Sequence, residues 1–303
     1  MTAGARRTIP LGGPLHLGRT LGAVRRGGGD PAMVLAEAEC WRATHTPAGP
    51  ATLHLRVVAG RLEVEAWGAG ATWAVDHAGD LVGNRDDESG FAPCHEVVRA
   101  VHRSLRGLRI GRTGAVAEAL VPTILEQKVT GAEARRSWRA LVRRLGEPAP
   151  GPAPAGLTVP PEPARLAAAP GWVFHRCGVE RKRADTIRRA MARAGRVEEA
   201  AALPLDDAYR RLRALPGVGA WSAAEVGLVA LGDPDAVSVG DYHLPSQVAW
   251  ALAGERTGTD DRMLELLEPY RGHRGRVLRL LAAGGVFPPR RGPRSALRSF
   301  AGR

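Results

Sequence analysis

Lysine is almost absent from this 303-residue chain: Lys128 and Lys182 stand against 41 arginines. Any chemistry that needs a side-chain amine therefore has only two candidates. Cysteine is nearly as scarce, and Cys40, Cys94 and Cys177 lie far apart without a C-x-x-C pair. Three such residues cannot by themselves build a structural zinc site or a four-cysteine iron–sulfur cluster. They read instead as buried free thiols of a reducing compartment. The nine histidines contain no H-x-x-x-H pair, which argues against a metal catalyst. No apolar run approaches the roughly 18 residues that would call for a membrane span. The opening MTAGARRTIP has two arginines and no apolar stretch after them, unlike a secretory signal. A cytoplasmic protein with no membrane partner is the expectation.

What the chain does have is positive charge, placed unevenly. Residues 1–105 hold eleven arginines and eleven acids, leaving 32 of the 43 basic and 20 of the 31 acidic residues for positions 106–303. The whole net charge of +12 therefore sits in the later two thirds. A surplus confined in this way points to a surface that faces a polyanion, nucleic acid above all.

Hydrophobic periodicity divides the chain at about the same place. In ATLHLRVVAGRLEVEAWG, Leu53, Leu55 and Val57 alternate with other residues up to Ala59-Gly60, and Leu62, Val64 and Ala66 alternate after it. That pattern predicts a β-hairpin within a small antiparallel sheet. The flanking stretches RATHTPAGPATL and GAGATWAVDHAGDLVGNRDDESG read as loop-rich. From about residue 96 the period becomes helical. TGAVAEALVPTILEQKV carries Val116, Leu120, Ile124 and Leu125 at helical spacing, with Pro122 expected to kink it or start a turn. Thr130 and Glu133 form a capping box ahead of a helix that closes at Gly146, with Trp138 at core spacing. The seven prolines of EPAPGPAPAGLTVPPEPARL predict a surface connection without helix or sheet. The tail from 290 has five arginines and no acid, and is expected to be disordered. The reading is thus α+β: an antiparallel β-rich domain over 1–105, an all-α domain over 106–289, and a basic tail over 290–303.

One segment stands out from the helices. In LRALPGVGAWSAAEVGLVALG, Pro216 ends a helix, and Gly217 and Gly219 bracket Val218 before the next helix starts. Backbone N–H groups at such a turn are unpaired and lie at the positive end of the following helix, where a phosphate can approach closely. The same turn also serves as an ordinary connector between helices. Twenty residues beyond Trp221, in GDPDAVSVGDYHLPSQVAWAL, Asp241 opens another apolar helix as an N-cap would.

Taken together, L-P-G-V-G, a helix, a loop rich in Asp, Pro and Val, and then G-D-Y-H resemble the helix-hairpin-helix (HhH-GPD) DNA glycosylases. The likeness spans roughly residues 106–286 and takes in ILEQKV and EPYRGHRGRV. The β-rich first third is similar to that of the 3-methyladenine glycosylase II branch. The resemblance implies a helical glycosylase domain that excises damaged bases from double-stranded DNA, with Asp241 as the catalytic carboxylate. It implies Trp221 as a stacking face for the flipped base, and Glu225 in the pocket where relatives carry a tyrosine. Gly217, Val218, Gly219, Gln127 and Lys128 become DNA-contacting residues, Gln127 or Lys128 filling the gap that a flipped base leaves. Members that also nick the strand carry a lysine where this chain has Trp221, and Lys128 and Lys182 lie far upstream, so a monofunctional hydrolase acting on alkylated purines is expected. Tyr242 is expected to pack, and His243 to face solvent or serve structure. No cofactor is implied beyond a monovalent cation at the hairpin carbonyls, and a nucleoid-associated monomer is expected. Two alternatives stay open: the same scaffold acting on a deaminated purine or a bulky alkyl adduct, and a non-catalytic helix-hairpin-helix DNA-binding protein.

Overall fold

A computed structural model describes residues 4–289, so the basic tail lies outside the described residues. The chain is mixed helix and sheet. Five antiparallel strands, β1 (Ala5–Pro10), β2 (Met33–Leu35), β3 (Glu39–Thr46), β4 (Gly49–Val58) and β5 (Arg61–Trp67), form one sheet in the order β1-β5-β4-β3-β2. The expected hairpin is β4–β5: Val58 faces Arg61 across Ala59 and Gly60, both at positive φ, as a two-residue turn of matching twist requires.

Two stretches expected to be loop are regular structure. Residues 42–53 supply most of β3 and the start of β4. Their alternation was hidden because the inward face of β3 is polar: Arg42, Thr44 and Thr46 are buried. Arg42 Nη2 (2.8 Å) and Thr44 Oγ1 (2.6 Å) donate to Glu118, which reaches the sheet from a later helix. Short helix α1 (Leu17–Leu21) precedes β2, and α2 (Ala71–Leu81) lies within the other stretch. Ala71, Ala74, Val75, Ala78 and Leu81 of α2 are buried at helical spacing in the core beneath the sheet. Small alanines among glycine, aspartate and histidine disguised that stripe.

The rest is helical. After α3 (Glu96–Ser104) come α4 (Val116–Glu126) and α5 (Gly131–Leu145), the latter opened by the Thr130–Glu133 capping box. α4 continues through Pro122, and its first N–H groups at Val116 and Ala117 are capped at 2.9 Å by the distant Glu198 carboxylate. Burial raises the Glu198 pKa, while those two backbone N–H groups oppose the shift. Trp138 is buried as expected, and its indole N–H donates to Asp30 Oδ1 at 2.9 Å.

The proline-rich stretch is not a free surface connection. It holds a two-residue antiparallel pair, β6 (Glu147–Pro148) with β7 (Thr158–Val159). Leu157 and Val159 are buried in a cluster with Ala43 of β3. Proline spacing forbids a long strand, yet leaves room for two residues of pairing between proline runs.

The remaining helices are α6 (Pro163–Ala168), α7 (Gly171–Arg176), α8 (Arg181–Met191), α9 (Ala194–Glu198), α10 (Leu205–Arg213), α11 (Ala220–Val226), α12 (Leu244–Ala253), α13 (Asp260–Leu267) and α14 (Arg274–Ala283). The largest core joins α4, α5, α8, α10 and α11. A separate core joins α3 to α12, α13 and α14. Arg276 of α14 ties these helices to the loop after α2. It is fully buried, donates to Asp86 (2.5 and 2.9 Å), Glu88 (2.9 Å) and the Asp87 carbonyl (3.1 Å), and lies over the Phe91 ring.

Candidate active site and nucleic-acid interface

The Pro-Gly-Val-Gly turn joins α10 to α11, and its two glycines do different jobs. Val218 N donates to the Leu215 carbonyl at 3.0 Å, closing a four-residue turn with Pro216 and Gly217 at its centre. Gly217 has φ +94°, and a Cβ there would stand 2.6 Å from Thr186 Oγ1 of α8. The fold itself therefore demands glycine at 217. Gly219, at the N-cap of α11, has extended backbone (φ −96°, ψ −171°) and no described atom within 4 Å of a Cβ position. Nothing in the fold demands glycine at 219. The N–H groups of Gly217 and Gly219 have no acceptor among the described residues.

Two residues expected to contact DNA turn inward. Val218 is buried in the largest core and its N–H closes the turn. An apolar side chain at the tip anchors the loop more favourably than it faces a charged backbone. Gln127, at the end of α4, donates through Nε2 to the Gly217 carbonyl and to Ser222 Oγ, both at 2.9 Å. Its amide braces the hairpin against α4. Lys128, next in sequence, is exposed and has φ +56°, a left-handed conformation uncommon for a residue with a Cβ. Both lysines thus lie beside the hairpin: Lys128 follows its brace, and Lys182 sits one turn before Thr186. Distance in sequence did not carry over into space.

The carbonyls of Leu215, Gly217 and Gly219 each accept an intramolecular hydrogen bond. Each of these oxygens keeps a second lone pair. Among the described residues no group of three or more histidines, cysteines and carboxylates could hold a metal ion.

Asp241 stands at the mouth of α12 with both oxygens engaged. Oδ1 accepts at 2.8 Å from the N–H groups of His243, the N-cap of α12, and Leu244, its first residue, and Oδ2 accepts from the Trp221 indole N–H at 3.0 Å. The loop that delivers it is held from two sides. Asp241 N donates to the Ser238 carbonyl at 3.2 Å, and Gly240 N donates to both Asp260 oxygens at 3.1 Å. The carboxylate is half-buried, so its position is fixed while a face stays reachable.

Trp221 and Glu225 lie one turn apart on α11, hence on one face. Glu225 accepts a hydrogen bond from Ser238 Oγ, so a single serine links it to the Asp241 loop. Burial pushes the Glu225 pKa up; the Ser238 hydrogen bond and Arg26 pull it down, and the charges of Glu126 and Asp241 add to the rise. Arg279 of α14 lies within electrostatic reach, and burial lowers its pKa to about 10 against the pull of Glu225. Beyond Val226 the helix widens into a π-helical segment, Gly227–Leu231. A Cβ at Gly227 would meet the Tyr209 hydroxyl, which donates to Asp233 at the head of the loop that leads to Asp241.

Sequence reasoning missed Ser238, Asp260, Thr186 and Arg279. A serine in a Pro/Gly-rich loop and an aspartate in the first turn of a helix look like solvated residues, and only the fold shows what they touch. Tyr242, expected to pack, is 89% exposed, its ring set edge-on to that of His243 with centroids 4.8 Å apart. The tight caps around Asp241 leave this next side chain pointing outward.

No family model matches the sequence, and no curated protein matches it. Solved structures do match. The 3-methyladenine DNA-glycosylase from Archaeoglobus fulgidus superposes with a TM-score of 0.74 at 18% identity, covering 91% of this chain and 97% of that one. MBOgg1 in complex with a low-affinity DNA ligand gives 0.72 at 17% identity, over 94% and 96%. The 8-oxoguanine glycosylase/lyase of Clostridium acetobutylicum gives 0.68 at 12%, over 93% and 98%. This chain has the helix-hairpin-helix DNA-glycosylase fold. The likeness covers more than nine tenths of this chain in all three.

Proposed function

We propose that the chain is a monofunctional DNA N-glycosylase that flips alkylated purines out of duplex DNA and removes them by hydrolysis, opening base excision repair. The observation that carries this reading is the Asp241 carboxylate, fixed by three N–H donors and set by Trp221 beside the glycine hairpin. A helix cap needs only the two backbone donors. The third, from an indole twenty residues upstream, orients the second oxygen.

Breaking an N-glycosidic bond builds positive charge on the deoxyribose. A carboxylate about 4 Å away stabilises that charge by roughly 4 kcal/mol at an effective dielectric near 20. That corresponds to about three orders of magnitude in rate. The same oxygens can orient the attacking water or take its proton. The free N–H groups at Gly217 and Gly219 would seat a DNA phosphate, and the open approach at Gly219 suits it. The extruded purine would lie against the Trp221 ring, whose electron-rich face favours a base carrying positive charge. Glu225, one turn on, would attract that cation or accept from an exocyclic amine. Lys128, exposed and conformationally strained at the hairpin's edge, would fill the vacated stack or meet a phosphate.

Strand nicking would need an amine at the sugar. The side chain at the expected place is an indole, whose N–H is committed to Asp241. Lys128 follows Gln127, whose amide holds the hairpin, and that makes it the amine to test: borohydride trapping of an enzyme–DNA adduct would overturn the hydrolytic reading. Excision of an oxidised purine is the second reading, favoured by the likeness to the Clostridium 8-oxoguanine enzyme. The deciding assay is base release from duplexes carrying 3-methyladenine, 7-methylguanine, hypoxanthine, ethenoadenine or 8-oxoguanine. Release of the methylated purines first supports the proposal; preference for 8-oxoguanine supports the second reading; no release of any base contradicts both.

A further inference from the structure

We infer that duplex DNA seated on the hairpin continues onto α8, where Lys182 and Arg189 take two backbone phosphates of one strand about three steps apart. The inference rests on the DNA-binding reading above and adds a surface that the hairpin motif does not contain. Its anchor is Thr186. That residue is 2% exposed and lies directly beneath Gly217, where a glycine Cβ would stand 2.6 Å from its hydroxyl. Lys182 is four residues before it and Arg189 three after, so the three share one stripe of the helix. Thr186 Oγ1 donates to the Lys182 carbonyl at 2.9 Å and accepts from Arg189 Nη2 at 3.3 Å. The hairpin thus rests on the middle of the stripe, and exposed cations stand on both sides of it.

Their pairing separates them from their neighbours on α8. Arg181 and Arg188 share Asp185 at 3.7 and 3.8 Å, and Arg183 is buried with its guanidinium on the Leu125 carbonyl. Lys182 and Arg189 have no carboxylate partner among the described residues. With Arg181 and Asp185 they border an open surface depression. Seven residues of helix span about 10 Å. Three base-pair steps advance about the same distance, at about 3.4 Å per phosphate along each strand. Two exposed cations without a carboxylate partner at that spacing, on the helix that carries the hairpin, match phosphates of one strand.

The test is the salt dependence of binding, measured by fluorescence anisotropy with a duplex containing a tetrahydrofuran abasic-site analogue. Full-length protein, the double variant Lys182→Ala/Arg189→Ala and the control Arg6→Ala are compared, since Arg6 is paired with Glu65 on the sheet. Each lost phosphate contact flattens the slope of log K against log salt by about 0.9, so the double variant should lose about 1.8. The control should keep the wild-type slope. A double variant with an unchanged slope overturns the α8 surface and leaves the hairpin reading standing. Wild-type protein that fails to bind the duplex overturns the functional reading itself. Because both side chains are exposed, thermal unfolding of the variant should match the wild type, and a large drop in Tm would assign the two residues to the fold.

Discussion

The sheet and the hairpin face use the same cations in opposite ways. On the sheet side arginines find acids within the protein: Arg6 with Glu65 at 2.8 Å, Arg7 with Asp76 at 2.9 Å, Arg56 with Glu63 at 3.0 Å, and the buried Arg42 with Glu118 at 2.8 Å. Arg276 extends that pattern to the junction with α14, entirely out of solvent. Around the hairpin, Lys128, Lys182 and Arg189 are exposed and have no acid partner among the described residues. Paired charges specify how elements meet. Unpaired ones beside free backbone N–H groups raise the local potential and suit an anionic partner. The chain's net charge is therefore less informative than where its charges lack partners.

Breaking the paired side should have the largest effect on stability. Arg276→Ala strands Asp86 in the interior, and removing one partner of a buried pair typically costs about 3–5 kcal/mol. Chemical denaturation should show that loss, whereas a change under about 1 kcal/mol would mean the carboxylates relax into solvent. Next comes the hairpin. Gly217→Ala puts a Cβ against Thr186 at a φ of +94°, a strain of about 1–3 kcal/mol. Gly219→Ala meets open space and should leave stability nearly unchanged while weakening duplex binding. Equal effects at the two glycines would contradict their division of labour.

The smallest effect concerns Glu225. Burial raises its pKa in the folded state, so the native protein binds that proton more tightly than the unfolded chain does. The associated stability is present below the ordinary carboxylate range and is lost as pH rises through the raised value. Glu225→Gln removes the loss. The variant's Tm should match wild type in acid and exceed it at neutral pH, whereas parallel curves would mean Glu225 is not held neutral.

Much of the hairpin and the mouth of α12 was legible because glycine, proline and a capping aspartate carry their backbone requirements in their identity. The β4–β5 hairpin and the Thr130 capping box were legible for the same reason. What escaped was determined by contacts distant in sequence. The polar inner face of β3 makes sense only once Glu118 arrives from α4. The N-terminus of α4 is capped from Glu198, and Gln127 turns out to be a brace because Gly217 and Ser222 come to it. Trp221 shows the limit most clearly. Its position suggested a stacking face, but only the structure reveals its indole N–H on Asp241.

The central claim is that Asp241 acts on the sugar and not merely as a helix cap. The direct measurement is single-turnover base release by Asp241→Asn from a duplex carrying 7-methylguanine, alongside its affinity for the abasic-analogue duplex. An asparagine oxygen can still accept from His243 and Leu244, so α12 should remain capped. The account predicts a rate lower by about a thousandfold, in line with roughly 4 kcal/mol of lost charge stabilisation, with binding retained. Base release at the wild-type rate would contradict it.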